Sequence, residues 1–243
     1  MPADSDANGQ GRISADVKAG VVKRFFQIAV SILLQAALLF LSAWRLDWVM
    51  AWVFLGLNVA AVGVNALVLL RIDPELIAER ARRQDEAKGW DKILTKAFGV
   101  PAFLAIPIVA GLDIRFGWSA GMPLPFYPVA AVIWTLGFAL ISWAMASNRF
   151  FSTVVRIQQE REHTVVTGGP YQYVRHPGYV GITVMILATP PLLGSWWALV
   201  PVACSMLVLI VRTVLEDRTL QAELDGYRDY AQRVRYRLLP GVW

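Results

Sequence analysis

Chemistry-bearing side chains are scarce in this chain, and most of them fall into two places. The first is the segment Asn148–Tyr179, NRFFSTVVRIQQEREHTVVTGGPYQYVRHPGY, which holds both histidines, His163 and His176. Arg175-His176-Pro177 leads straight into an apolar run there. Proline suits the first helical turn, where its missing N–H has no partner anyway. The free N–H groups of that helix start would favour an anion close to the membrane surface. Anchoring of Arg175 and His176 at the interface is an equally good reading of the same residues. The second place is Arg212 and Glu216, four apart and therefore on one helical face. Such a pair at the end of an apolar helix can be a snorkelling anchor or half of a site.

The elements that must position these residues are read from hydrophobic runs. Of the 243 residues, 56% are hydrophobic and 17% charged, a bias beyond that of a soluble domain. The apolar residues gather into Phe25–Trp44, Trp48–Leu70, Leu94–Leu112, Phe126–Ala146, Gly178–Leu193 and Trp196–Val211. Four of these are long enough to cross a hydrocarbon core of about 30 Å. Pro190-Pro191 with Gly194 and Ser195 read as the turn of a tight helical hairpin joining the last two. Twenty Lys and Arg lie on one side of the alternating loops, against only Arg45 and Arg115 on the other. That asymmetry predicts both termini in the cytoplasm.

The expected architecture is an all-α integral membrane protein of about six transmembrane helices. Residues 1–20 read as a flexible cytoplasmic tail, 21–146 as four transmembrane helices, and 147–243 as a catalytic region with the hairpin and a C-terminal helix. In that last stretch Leu220, Leu224, Tyr227, Ala231 and Val234 recur at helical spacing. They predict an amphipathic cytoplasmic helix lying on the membrane surface or on the loop that starts at residue 148. The charged stretch after Pro74 reads as a short amphipathic surface helix, and Thr153–Ile157 as a strand-like patch. Cys204, the single cysteine, reads as a small buried hydrophobe, and one thiol builds neither a disulfide nor a cysteine-based metal site. A net charge of +5 without interleaved aromatic and basic residues argues for anionic lipid rather than nucleic acid.

The run GPYQYVRHPGYVG, with RTVLED about 30 residues on and then GYRDYAQRVRYRLLP, resembles the isoprenylcysteine carboxyl methyltransferase family and the related phospholipid N-methyltransferases. The paired acids of that pattern stand here as Glu216-Asp217. The resemblance covers Asn148 to Pro240. It implies S-adenosyl-L-methionine as cofactor, held by membrane helices and loops, and no glycine-rich Rossmann fingerprint contradicts this. It further implies that His163, Thr164, Val165, Val166, Tyr171, His176, Pro177, Gly178, Tyr179 and Glu216 bind the cofactor. Arg212, and less directly Asn148, would serve catalysis toward a lipid or amphiphilic methyl acceptor. No metal is implied. A membrane NADPH-dependent sterol or enone reductase would look similar here, with Arg156 or Arg161 on the 2′-phosphate. A non-catalytic lipid-binding protein is the third reading.

Overall fold

The computed structural model describes residues 15–81 and 87–243. Five helices are long and apolar enough to span a membrane: α1 (Ala15–Ala43), α2 (Val49–Ile72), the continuous rod Gly89–Phe116, α6 (Phe126–Ser147) and α8 (Leu199–Glu223). The rod consists of α4 (Gly89–Gly99), a π-helical segment Val100–Ala105 and α5 (Ile106–Phe116). Its wide turn begins at Val100-Pro101, where the proline removes an N–H from the regular ladder. A shorter apolar helix, α7 (Pro177–Leu193), is the sixth. Two short helices, α3 (Pro74–Glu79) and α9 (Tyr227–Arg233), complete the helical set, with single 3-10 turns at Gln159–Arg161 and Gly169–Gln172.

The spans follow the hydrophobic runs, but the helices outlast them. α8 continues twelve residues past Val211, so Arg212, Glu216 and Asp217 all ride on a rigid helix rather than beyond its end. α7 runs through Pro190-Pro191 to a glycine cap at Gly194, and Ser195 N–H closes onto Pro190 O at 3.0 Å. The N-terminal tail expectation falls mostly on residues 1–14, outside the described residues. Ala15–Gly20, by contrast, are already helical.

Several other expectations are corrected. Among the described residues there is no strand: Thr153–Ile157 is irregular, and its backbone is satisfied by side chains from distant helices instead of a neighbouring strand. The stretch after Pro74 is no surface helix, since Leu76, Ile77, Ala78 and Glu79 are all buried. The C-terminal apolar stripe is split by Gly226 at φ +77°, an open conformation that only glycine adopts freely. Its residues nevertheless converge: Leu220, Leu224, Tyr227, Ala231 and Val234 pack on Tyr171, Phe151 and Val165, so the stripe covers the loop and not a lipid surface. Cys204 is exposed on the outer face of α8.

The core between the spans centres on Leu39, Phe54, Trp134, Leu192 and Val202. The most extensive helix packing is that of α6 on α7, where two glycines meet. A Cβ on Gly181 would lie 2.6 Å from Gly137 O, and one on Gly137 would lie 2.8 Å from Met185 N. In a bilayer, where apolar surface gains little by leaving lipid, such backbone proximity is a main source of helix association. This crossing fixes the start of α7, and so His176, against the end of α6. Gly181→Ala is therefore expected to lower stability by about 1–3 kcal/mol through overpacking against backbone, read as a drop in the melting midpoint of detergent-purified protein.

Candidate active site

At the end of the bundle where α6 stops and α7 starts, the irregular segment 148–176 folds back over α8 and α9 and encloses a cleft. Its free space is about 820 Å³, part of it open to solvent. Its walls include Asn148, His163, Thr164, Val165, Val166, Tyr171, His176, Gly178, Tyr179 and Glu216. These are all but one of the residues implied as cofactor-binding, together with Asn148. Pro177 opens α7 beside them but does not line the cleft, and neither does Arg212.

Polar groups converge from three elements. Glu216 of α8 accepts a short hydrogen bond from the Tyr179 hydroxyl of α7. His176, the residue before α7, stacks on the Tyr179 ring with centroids 5.7 Å apart, and its Nδ1 stands 4.0 Å from Glu216. On another wall, Thr164, Val165 and Val166 lie outside regular secondary structure, and none of their N–H groups is hydrogen-bonded among the described residues. The His163 Nδ1 accepts the Gln158 N–H at 3.3 Å, and its ring packs on Phe150 at 4.4 Å. Burial, and then the nearby Arg156 and Arg161 charges, bring its pKa down to about 4. Asn148 is a positioning group: its amide donates to the Tyr171 hydroxyl at 3.1 Å and accepts the Phe150 N–H at 2.9 Å. Burial in this wall raises the Tyr171 hydroxyl well above its ordinary pKa.

Three buried ion pairs, none visible as a local pattern, hold the walls in place. Asp217, fully buried, receives Arg175 in bidentate fashion at 2.7 and 3.0 Å, Arg237 at 2.9 Å, Gln221 at 2.8 Å and the Tyr227 hydroxyl at 3.2 Å. His176 Nε2 lies 3.4 Å from the same carboxylate. Arg175 also donates to the carbonyls of Val234 and Arg235, strapping the chain beyond α9 over the start of α7. Arg175 is thus a buried tie, not an interfacial anchor. Arg212 pairs with Asp91 of α4 at 2.8 and 3.3 Å, donates to Thr153 O at 2.8 Å, and lies 5.6 Å from the Tyr179 ring centroid. The expected free guanidinium facing an acceptor is therefore largely engaged, with only Nη1 lacking a hydrogen bond among the described residues. The third pair joins Arg156 to Glu79 at 2.6 Å and to Glu160 at 2.8 Å.

Asp91, Asp217 and Glu79 escaped the sequence reading. Asp217 was visible only as the second acid of a pair, and Asp91 and Glu79 only as members of a mixed-charge loop. The surplus of arginine near the C-terminus was the one available signal that buried carboxylates had to exist.

Two outcomes follow from this geometry. Removing one partner of a buried pair strands the other charge, so Asp217→Asn should cost about 3–5 kcal/mol, seen as a lowered melting midpoint. His163 behaves as a base whose folded pKa sits below its unfolded value of 6.5. Between pH 6.5 and about 4 the unfolded chain binds the proton more readily, so stability falls as pH drops through that window. The melting midpoint of His163→Gln should lack this component of the acid slope, and an unchanged slope would contradict the assignment.

The isoprenylcysteine carboxyl methyltransferase (ICMT) family model matches residues 130–222, the stretch from near the start of α6 almost to the end of α8. Protein-S-isoprenylcysteine O-methyltransferase of Schizosaccharomyces pombe is 33% identical over 107 residues, covering 41% of this chain and 43% of the relative. The enzyme of that name from Dictyostelium discoideum is 27% identical over 166 residues, covering 63% and 68%. The one from Mus musculus is 32% identical over 91 residues, covering 35% and 30%. The match thus spans less than half the length of the Schizosaccharomyces pombe relative. The matched residues 130–222 supply much of the cleft, the whole Arg175–Asp217 pair and one partner each of the Arg212–Asp91 and Arg156–Glu79 pairs, and it is this stretch that is similar to the isoprenylcysteine carboxyl methyltransferase family.

Proposed function

We propose that the chain is an integral-membrane methyltransferase that uses S-adenosyl-L-methionine and modifies a lipid-soluble or amphiphilic acceptor at the cytoplasmic face. The observation that carries this reading is the convergence of Glu216, His176, Tyr179 and residues 163–166 in one cleft, on the segment that matches the family. The twenty-to-two distribution of basic residues supports the cytoplasmic placement. The relatives' names point to the carboxylate of an isoprenylated cysteine as acceptor.

The residues suit the cofactor. Glu216 offers a carboxylate to an ammonium or hydroxyl group, and the N–H groups of residues 164–166 offer donors to a purine edge or a carboxylate. Phe150, Val165, Leu220 and Tyr230 line the same cleft and offer apolar and aromatic cover to a ring. When bound, the cofactor supplies an already activated sulfonium methyl. What remains for the protein is positioning and exclusion of water. Tyr179, fixed between Glu216 and the Arg212 guanidinium, sets the cleft wall at the membrane end. Arg212, its Nε and Nη2 engaged, would present Nη1 to an anionic acceptor. Held at both other nitrogens, that guanidinium loses little further freedom on binding.

One observation disfavours the reductase reading. The Arg156 guanidinium, one of the two candidates for a 2′-phosphate, is already paired with Glu79 and Glu160.

Calorimetry on purified protein is the test. S-adenosylhomocysteine should bind, with Glu216→Ala and His176→Ala each weakening it by about 1–3 kcal/mol. Arg212→Lys, which keeps a cation for Asp91, should hold cofactor affinity within a few-fold yet lose most transfer to a prenylated cysteine carboxylate. Tight NADPH binding without S-adenosylhomocysteine binding would replace this reading by the reductase.

A further inference from the structure

A second polar cavity lies outside the methyl-donor cleft, between α1, α2, α3 and α6. It measures about 670 Å³, and Arg24, Arg80 and Asn65 are its polar lining, with Phe25, Leu69 and Phe138 among its apolar walls. Its arginines come from chain regions far apart in sequence. Close packing of α1 on α3 brings them together: a Cβ on Gly20 would lie 2.6 Å from Ala78 Cβ, so α1 crosses α3 almost backbone to backbone.

Among the described residues, neither of these two guanidiniums has an ion-pair partner. Arg24 Nη1 has only long contacts, 3.4 Å to Gln27 Oε1 and 3.5 Å to Arg80 O. Arg80 stands over the Phe151 ring at 5.3 Å, and its Nη1 is buried without a hydrogen-bond partner. The amide oxygen of Asn65 is likewise buried and unpartnered. Among the described residues no carboxylate pairs with either arginine, in contrast to Arg156, Arg175, Arg212 and Arg237, each of which has one. Burial, and then the Arg24 charge, pull the Arg80 pKa down to about 9. Unpaired buried charge is costly, and a guanidinium with an unused N–H edge is shaped for an oxyanion. Asn65, with its amide turned, would add a third donor.

The rest of the lining decides what carries that oxyanion. Phe25, Ile28, Val62, Phe138 and Ile141 belong to membrane-spanning helices, and Phe25 is itself exposed on the outer surface of α1. A small hydrated anion would leave these walls uncovered. We propose that this cavity binds the anionic head, a carboxylate or a phosphate, of a single amphiphile whose chain lies along α1, α2 and α6. Phe151 separates it from the methyl-donor cleft, which that ring also lines. The proposal stands whether or not that cleft holds a methyl donor.

Native mass spectrometry and thermal shift on the full chain in neutral detergent test it with five probes: dodecanoate, dodecyl phosphate, phosphatidylglycerol, dodecanol and inorganic phosphate. At least one anionic amphiphile should bind at one equivalent, at concentrations tenfold or more below those needed for dodecanol or inorganic phosphate. The tightest of the three distinguishes a free carboxylate, a simple phosphate and a phospholipid head as the source. Arg80→Gln and Arg24→Gln should each weaken that binding tenfold or more. Equal binding of dodecanol, equal binding of inorganic phosphate, or undiminished binding in both variants would each overturn the proposal. Should Arg80→Gln fail to fold, the comparison of heads on the native chain and Arg24→Gln still decide it.

Discussion

The interaction on which the rest of the site depends is the buried carboxylate of Asp217. It has no exposed surface and sits among two guanidiniums, a phenol and an amide from four different stretches of chain. A single carboxylate in that position would be strongly disfavoured; surrounded by charge-assisted donors it becomes a geometric lock. A buried ion pair adds little net stability over an apolar replacement, but its partners must arrive in one arrangement. Here that arrangement joins α8, the start of α7, α9 and residues 234–237. His176 and Glu216, the polar heart of the cleft, are the immediate chain neighbours of Arg175 and Asp217, so the lock also sets their separation.

The bilayer explains where such a lock can exist. Within hydrocarbon every backbone polar group must be satisfied internally, which leaves helices as the only elements here able to cross. Irregular backbone is confined to the bundle ends, and the long 148–176 segment occupies one of them. Its carbonyls and N–H groups are then free to be met by side chains: Asp91 takes the Val155 N–H, Arg212 takes Thr153 O, and Gln158 takes Phe150 O. The opposite end uses a smaller version of the same device, with Asp113 accepting from Ser119 and Ser195 to tie α5 to the α7–α8 turn.

These physics also determine what was legible in the sequence. Apolar runs of about twenty residues mark four spans directly, and two shorter runs parted by Pro190-Pro191 and Gly194 mark the last two helices, of which α8 is long enough to span and α7 is shorter. The site residues near GPYQYVRHPGYVG were legible through a resemblance rather than through chemistry, and most of them do share one cleft. The partners were not legible. Arg212 meets Asp91 across 121 residues of chain and Arg175 meets Asp217 across 42, and no local spacing announces either pair. The β-branched Thr153–Val155 suggested a strand because propensity was the only information there. Its real partners are side chains of α4 and α8. The stripe from Leu220 to Val234 gave the buried face correctly, while the break at Gly226 was hidden because spacings of three and four survive a helix–turn–helix.

Successive residues of α8 divide the labour in a way that bears on the acceptor. Arg212 and Glu216 share a face, and Asp217 is rotated from Glu216 by about 100°. The lock therefore lies to one side of the cleft, while Glu216 and the Arg212–Tyr179 contact form its floor. That floor carries one carboxylate already bonded to a phenol and one guanidinium already bonded to a carboxylate. Neither is poised to take a proton from an incoming group, and His163 lies on the far wall with its Nδ1 occupied, so the His176 imidazole, without a hydrogen bond among the described residues, is the cleft group left for that task. A neutral amine or thiol acceptor would need such a base. A carboxylate arrives deprotonated and asks only for orientation and removal from water. Under the proposed reading, the groups on α8 serve to orient an acceptor that is anionic before it binds.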